Sequence, residues 1–151
     1  MEKLGLGTWV LVADGRKALF LRSISDKLKP ELELVSKHEI DNPPDREHAS
    51  APPGKRSGGM GRKGSGVEER DLHGLAEERF AQDLAERLYK LSHRGELARL
   101  VIAAPPATLG VLRKAMHPAV AEAVSQEIAK TLTGHDLPSI EALLEADLAK
   151  T

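Results

Sequence analysis

Over the first forty residues, apolar and polar positions follow the pattern of short β-strands. The apolar runs 8–13 (TWVLVA) and 17–24 (KALFLRSI) flank Asp14-Gly15, a dipeptide that favours a tight hairpin because both residues tolerate positive φ. Residues 31–40 (ELELVSKHEI) alternate with period two, which predicts a third, half-exposed strand. We therefore expect the chain to open with an antiparallel meander of three strands.

Helical periodicity replaces this alternation after residue 66. Ser65 and Glu68 have the spacing of a capping box, and Gly95 suits the end of a helix, so the pattern predicts one long helix over 68–94. Its apolar stripe comprises Leu72, Ala76, Phe80, Leu84, Leu88 and Leu91, with Leu75 alongside.

The remaining third of the chain predicts alternating strands and helices. Residues 97–104 (LARLVIAA) are nearly all apolar, as in a strand covered on both faces. We expect Thr108 to cap a helix that ends near residue 116, and a short helical piece to follow over 118–124. Residues 125–133 fit a strand better than a continued helix, and 139–149 predict a last helix. This alternation indicates an α/β fold, in which a mixed sheet of about five strands is covered by helices.

The segment 41–66 differs in composition from the rest of the chain. It is rich in proline and glycine, has almost no large apolar residue, and includes the cationic run KRSGGMGRKGSG. A connection of this length inside a compact domain is usually functional or disordered. We predict a single domain over 1–151 that carries a mobile loop at 41–66.

The bulk composition excludes several classes of protein. The chain has 151 residues, a net charge of −1 and no cysteine, so disulfides, thiolate metal sites and cysteine nucleophiles are excluded. Only four residues are aromatic, which argues against domains that read single-stranded RNA by base stacking. The N-terminal residues show no apolar stretch typical of a signal peptide, so we expect a cytoplasmic protein without a membrane span.

Two candidate sites remain, and each has a simpler interpretation. The cations of the loop could neutralise phosphates, although the loop lacks the spacing of a nucleotide-binding P-loop and could be merely solvated. Glu69, His73 and Glu77 recur every four residues on one helical face and could hold a divalent cation, but acids at this spacing are common by chance. We expect no cofactor.

The chain resembles the bacterial host attachment proteins, described as required for attachment to host cells. The resemblance follows GTWVLVADGRKALFL, NPPDRE, the glycine and arginine loop, VEERDLHGLAEERFAQDLAERL, LVIAAPPATLGVLRKAMH and KTLTGHD, in order over nearly the whole sequence. It implies a role in adhesion, direct or through a regulatory effect.

The chain is also similar, more distantly, to the central domain of archaeo-eukaryotic peptide-chain release factors. In that domain a strand meander leads to a loop with Gly-Gly-Gln and basic residues, and a long helix follows. Here Gly58-Gly59-Met60 occupies the corresponding position before Arg62 and Lys63. The resemblance implies a ribonuclease-H-like mixed sheet. Met60 replaces the glutamine and has no amide, which argues against peptidyl-tRNA hydrolysis.

These observations favour a non-enzymatic binding module that contacts RNA, the ribosome or a protein partner through its loop. The alternative is a metal-assisted hydrolase that acts on nucleic acid or an ester through the helix at 68–94. The sequence does not indicate an oligomeric state. The predicted binding residues are Arg46, Lys55, Arg56, Gly58, Gly59, Met60, Arg62 and Lys63.

Overall fold

The computed structural model describes residues 4–27, 29–40 and 65–149, with side chains from 74 onward in the first helix. The described elements, in chain order, are β1 (Trp9–Ala13), β2 (Lys17–Ser23), β3 (Leu32–Glu39), α1 (Ser65–His93), β4 (Leu100–Ala103), α2 (Pro106–Ala115), α3 (Pro118–Ala123), β5 (Val124–Ile128) and α4 (Leu137–Ala149). Within these ranges, no helix combines the length and the apolar character needed to cross a membrane.

The five strands form one mixed sheet in the order β3-β2-β1-β4-β5. The predicted meander is present, since β1 pairs antiparallel with β2 and β2 antiparallel with β3. On the other side, β4 pairs in parallel with both β1 and β5. The predicted fold class, an α/β fold with a mixed sheet of about five strands under helices, is confirmed.

Helices cover both faces of the sheet and bury a separate apolar cluster on each. On one face, Phe80 of α1, Leu112 of α2 and Val120 of α3 pack against side chains of β1, β2 and β4. On the opposite face, Ile140 and Leu144 of α4 pack against the alternate side chains of the same strands. Strand β4 is buried along its whole length, as its apolar composition predicts for a strand covered on both faces.

Helix α1 is terminated by Gly95, as the sequence predicts. Gly95 has a φ of 76°, its N–H donates to the carbonyl of Ser92, and the N–H of Glu96 donates to the carbonyl of Leu91. This pair of bonds is a Schellman motif, which satisfies carbonyls that the helix leaves unpaired. The helix starts at Ser65, so the last two residues of the predicted loop 41–66 are helical. Leu75 is 48% exposed and lies outside the apolar stripe.

Three element boundaries in the second half differ from or refine the prediction. Helix α2 begins at Pro106 with Pro105 as its N-cap, so the prediction that Thr108 caps it is wrong. A proline fits the first helical position because its missing N–H would have no partner there. Residues 124–128 form a strand, as predicted for this region, but the strand ends at Ile128. Helix α4 starts at Leu137, and the Asp136 carboxylate accepts the N–H of Ser139 at its first turn.

Strand β3 is one of the two edge strands of the sheet, and it is partly exposed, as predicted. Its register against β2 shifts so that Leu34 pairs with Leu21 and Ser36 with Phe20, which leaves Val35 as an extra residue in a bulge. Val35 therefore faces the α1 side of the sheet together with Ser36, and it is 48% exposed. This side of β3 forms one wall of the site described below.

Candidate functional site

At one end of the sheet, Asp14 builds the turn between β1 and β2. One oxygen of its carboxylate accepts the N–H groups of Arg16 and Lys17, each at 2.8 Å. The other oxygen accepts the hydroxyl of Thr133 at 2.6 Å, which ties the turn to the segment before α4. The predicted turn is present, but Gly15 is not among the described glycines with positive φ, so the side chain of Asp14 stabilises it rather than a left-handed backbone.

Ile40, the last described residue before 41–64, and Glu77 of α1 both lie at this end of the sheet. The chain leaves β3 through Ile40, and Glu77, in the N-terminal half of α1, lies against Gly15. A hollow of about 500 Å³ lies between the turn, Glu39, Ile40 and Glu77. The loop predicted to bind a partner thus connects two elements that border this hollow.

The hollow continues as a groove between β3 and α1, which we call the β3–α1 groove. Its middle section has a volume of about 530 Å³, and its far section, over Trp9 and Phe20, about 460 Å³. His38, Asp83 and Arg87 line both sections, so the two are continuous. The walls of the groove are Val35, Ser36, Lys37 and His38 on β3 and Arg79, Asp83, Glu86, Arg87, Lys90 and Arg94 on or just after α1.

Inside the groove, His38 lies near the cation Arg87 and the acid Asp83. Burial and, secondarily, the positive charge of Arg87 lower the pKa of the His38 imidazole below its ordinary value of 6.5. The ring is fixed by an edge-to-face contact with Phe20, at 5.4 Å between centroids, and by a 3.0 Å hydrogen bond between Nε2 and the Ser36 hydroxyl. Burial and Arg87 therefore favour the neutral form of the His38 ring, and these two contacts fix its orientation.

Trp9 lies at the floor of the far section and is held from two sides. Its indole N–H donates to the carbonyl of Glu96 at 3.0 Å, and the guanidinium of Arg22 lies 5.5 Å from the ring centroid. The ring is only 4% exposed, and Phe20 beside it only 3%. Both rings thus shape the floor, but neither presents a free face on which a ligand ring could stack.

The residues that the sequence predicted as a binding site lie outside the described residues. They are Arg46, Lys55, Arg56, Gly58, Gly59, Met60, Arg62 and Lys63. The side chains of Glu69 and His73 are also outside them, and the third candidate ligand, Glu77, lies against Gly15. Among the side chains that the structure does describe, no group of three His, Cys, Asp or Glu residues could hold a metal ion.

The sequence interpretation missed the cations along the groove. Arg87, Lys90 and Arg94 follow one another at spacings of three and four residues, which places them on one face of a helix. That spacing was the available signal. It was not sufficient alone, because only the packing of α1 beside β3 makes the face one wall of a groove.

Comparison with known proteins places the chain in a family. The model of bacterial archaeo-eukaryotic release factor family 12 matches residues 7–144. No curated protein matches the sequence significantly. Among solved structures, the chain is similar to an archaeal protein, with 14% identity over 95% of this chain and a TM-score of 0.48. It is also similar to the archaeal translation termination factor aRF1, with 11% identity over 93% of this chain and a TM-score of 0.47.

The chain spans only 36% and 37% of the length of these two solved proteins. The family match, in contrast, begins at residue 7, ends at residue 144 within α4, and includes every described strand. The release-factor part of the predicted resemblance is thereby confirmed, and the host attachment part stays a prediction. The chain belongs to bacterial archaeo-eukaryotic release factor family 12.

Proposed function

We propose that this chain is a non-enzymatic binding module of the translation apparatus, which contacts ribosomal RNA through its loop at 41–64. The observation that carries the proposal is the match of a release-factor family to residues 7–144. Four cations in the loop, Lys55, Arg56, Arg62 and Lys63, supply the electrostatic attraction to phosphates. Gly58 and Gly59 allow close approach of the backbone, while Arg46 and Met60 complete the contact surface.

The position of the loop in the chain supports this role. The segment follows Ile40, which borders the hollow together with Arg16 and Lys17, and it precedes α1 in the chain. A rigid α/β scaffold that presents one long glycine-rich connection at a single end is a common arrangement for binding loops. The binding module acts in the cytoplasm, where ribosomes are.

Release of the peptide is not part of the proposed role. Met60 has a thioether where the release-factor pattern has an amide, so it lacks the donor that would position a water at an ester. The chain therefore occupies or monitors a ribosomal site without hydrolysing peptidyl-tRNA. The effect on attachment to host cells is then indirect, through translation of surface components.

Sedimentation with purified ribosomes tests the proposal. The loop variant replaces Lys55, Arg56, Arg62 and Lys63 with glutamine, which removes four positive charges and keeps polar side chains. The control variant replaces Lys27, Lys29, Arg99 and Lys114, four exposed cations elsewhere on the described surface, in the same way. Thermal unfolding of both variants shows whether either change affects the fold.

We expect the control variant to co-sediment with ribosomes as the wild type does, and the loop variant to remain in the supernatant with an unchanged melting temperature. Co-sedimentation of the loop variant at the wild-type level would overturn the loop as the contact site. Wild-type protein that co-purifies from cells with a protein and no ribosomal RNA would overturn the choice of RNA as the partner.

A further inference from the structure

The β3–α1 groove carries more positive charge than the molecule as a whole. The whole chain has a net charge of −1, whereas seven cations and five acids line the hollow and the groove. The cations are Arg16, Lys17, Lys37, Arg79, Arg87, Lys90 and Arg94. One of the five acids, Asp14, already accepts three hydrogen bonds from the protein. The groove is thus a local positive channel on a nearly neutral protein.

Two of these cations are available to a ligand. Arg87 and Lys90 are exposed, and neither forms an ion pair with any residue that the structure describes. Arg94 is 3.5 Å from Glu96, but both side chains are about half exposed, so water screens this pair and it competes weakly with a ligand.

We propose that the β3–α1 groove holds the phosphodiester backbone of a single RNA strand and does not read its bases. The inference rests on the proposed function, and it adds a second contact surface beside the loop. Successive residues of a helix rise by about 1.5 Å, so Arg87, Lys90 and Arg94 are spaced by about 4.5 and 6 Å along the axis. The three charges therefore follow one another along the groove, as phosphates do along a strand.

The floor of the groove explains why the bases are not read. Proteins that recognise unpaired bases stack them on exposed aromatic rings. Of the three rings that line the groove, Trp9 and Phe20 are 4% and 3% exposed, and Arg22 already covers Trp9. The third ring, His38, is half-buried and is held edge-to-face against Phe20. The volume of about 460 Å³ is similar to that of a pocket for a drug-sized molecule, which accommodates part of one strand but not a duplex.

The binding of short oligonucleotides to the full chain tests the inference. Fluorescence anisotropy follows labelled oligouridylate and oligoadenylate of equal length across a series of salt concentrations. The groove variant carries Arg87→Gln, Lys90→Gln and Arg94→Gln, and its matched control carries Lys27→Gln, Lys29→Gln and Lys114→Gln at exposed positions outside the groove.

We expect equal affinity of the wild type for the two sequences and a loss on the order of tenfold in the groove variant alone. The slope of log K against log salt should fall in magnitude by about 2, since each phosphate contact on a single strand contributes about 0.7. A second variant should change the affinity for the oligonucleotides in the opposite direction. Asp83→Asn with Glu86→Gln removes the acids that line the same wall and should tighten binding, whereas Glu122→Gln with Glu145→Gln, at exposed positions elsewhere, should not.

The inference would be overturned by no binding by the wild type, by equal binding by the groove variant and its control, or by a clear preference between the two oligonucleotides. Polyglutamate that competes as well as RNA at equal charge would also overturn it, in favour of an acidic protein partner. The loop variant distinguishes the two proposals. If it still co-sediments with ribosomes, the proposed loop contact fails, while loss of oligonucleotide binding by the groove variant alone sustains the groove.

Discussion

The carboxylate of Glu77 lies directly against Gly15. A Cβ atom at Gly15 would be 2.9 Å from Cδ of Glu77 and 3.0 and 3.1 Å from its two oxygens. Gly15 is not among the described glycines with positive φ, so the turn itself does not require a glycine there. The small size of this residue instead lets α1 approach the turn between β1 and β2.

We therefore expect Gly15→Ala to be coupled to Glu77. In the wild-type background the variant should change the free energy of unfolding by less than about 0.5 kcal/mol, because the exposed Glu77 side chain moves away and its displacement offsets the entropic gain. In a Glu77→Ala background the obstruction is absent, and Gly15→Ala should stabilise by about 0.4–1 kcal/mol. Urea unfolding of the four proteins measures the cycle, and equal effects in both backgrounds would show that the contact has no energetic role.

The local pattern of apolar and polar residues was sufficient to predict most helices and strands of the fold. The apolar stripe from Phe80 to Leu91 and the glycine after it define α1, because helix spacing and the left-handed C-terminal residue are both encoded within one segment. The sequence is ambiguous at the start of α2, because the hydroxyl of Thr108 suits an N-cap while Pro106 suits the first helical turn, and the helix begins at the proline.

The groove could not be predicted, because its walls come from distant parts of the chain. Arg87 lowers the pKa of His38 although the two residues are 49 positions apart, and the bulge at Val35 arises only where β3 pairs with β2. The alternation of apolar and polar residues in β3 indicates which side chains share a face of the sheet. It does not show that the pairing of β3 with β2 shifts its register between Phe20 and Leu21. Charge positions were visible in the sequence, while their convergence depended on tertiary packing.

Gly95, just after the end of α1, and Gly110, inside α2, should change the stability in opposite directions when each is replaced by alanine. Gly95 has a φ of 76°, where an L-residue is strained, so Gly95→Ala should destabilise the protein by about 1–2 kcal/mol. Gly110 lies inside α2, and a Cβ there would meet nothing within 4 Å, so Gly110→Ala should stabilise by about 0.5–1 kcal/mol. Thermal and urea unfolding measure both. A Gly95→Ala variant as stable as the wild type would contradict this account of how α1 ends.

The hydroxyl of Thr133 ties the segment before α4 to the first hairpin. It donates to Asp14 at 2.6 Å, and the residue is only 6% exposed. Thr133→Val keeps the shape and removes the donor, so we expect a loss of about 1.5–3 kcal/mol in the free energy of unfolding, the usual range for a hydrogen bond to a charged group. Thr133→Ser keeps the hydroxyl and is the control, and it should lose clearly less. A valine variant as stable as the serine variant would show that the bond contributes nothing.

The lowered pKa of His38 predicts both a titration and a pH dependence. Because Arg87 is one of its two causes, Arg87→Gln should raise the pKa of His38, though not fully to 6.5, since burial remains. Lys114→Gln removes one charge outside the groove and should leave the pKa unchanged. The ring proton signals of His38, followed by NMR against pH, measure this directly.

The sign of the stability effect follows from proton uptake. The unfolded chain, with an ordinary histidine, binds a proton more readily than the folded protein as the pH falls below about 6.5. The neutral His38 therefore contributes stability above that pH, and the contribution is lost on acidification toward the lowered pKa of the folded protein. We expect His38→Gln to flatten this part of the curve of unfolding free energy against pH. If the wild type and His38→Gln show the same acid slope, the ring at position 38 is not held neutral by its surroundings.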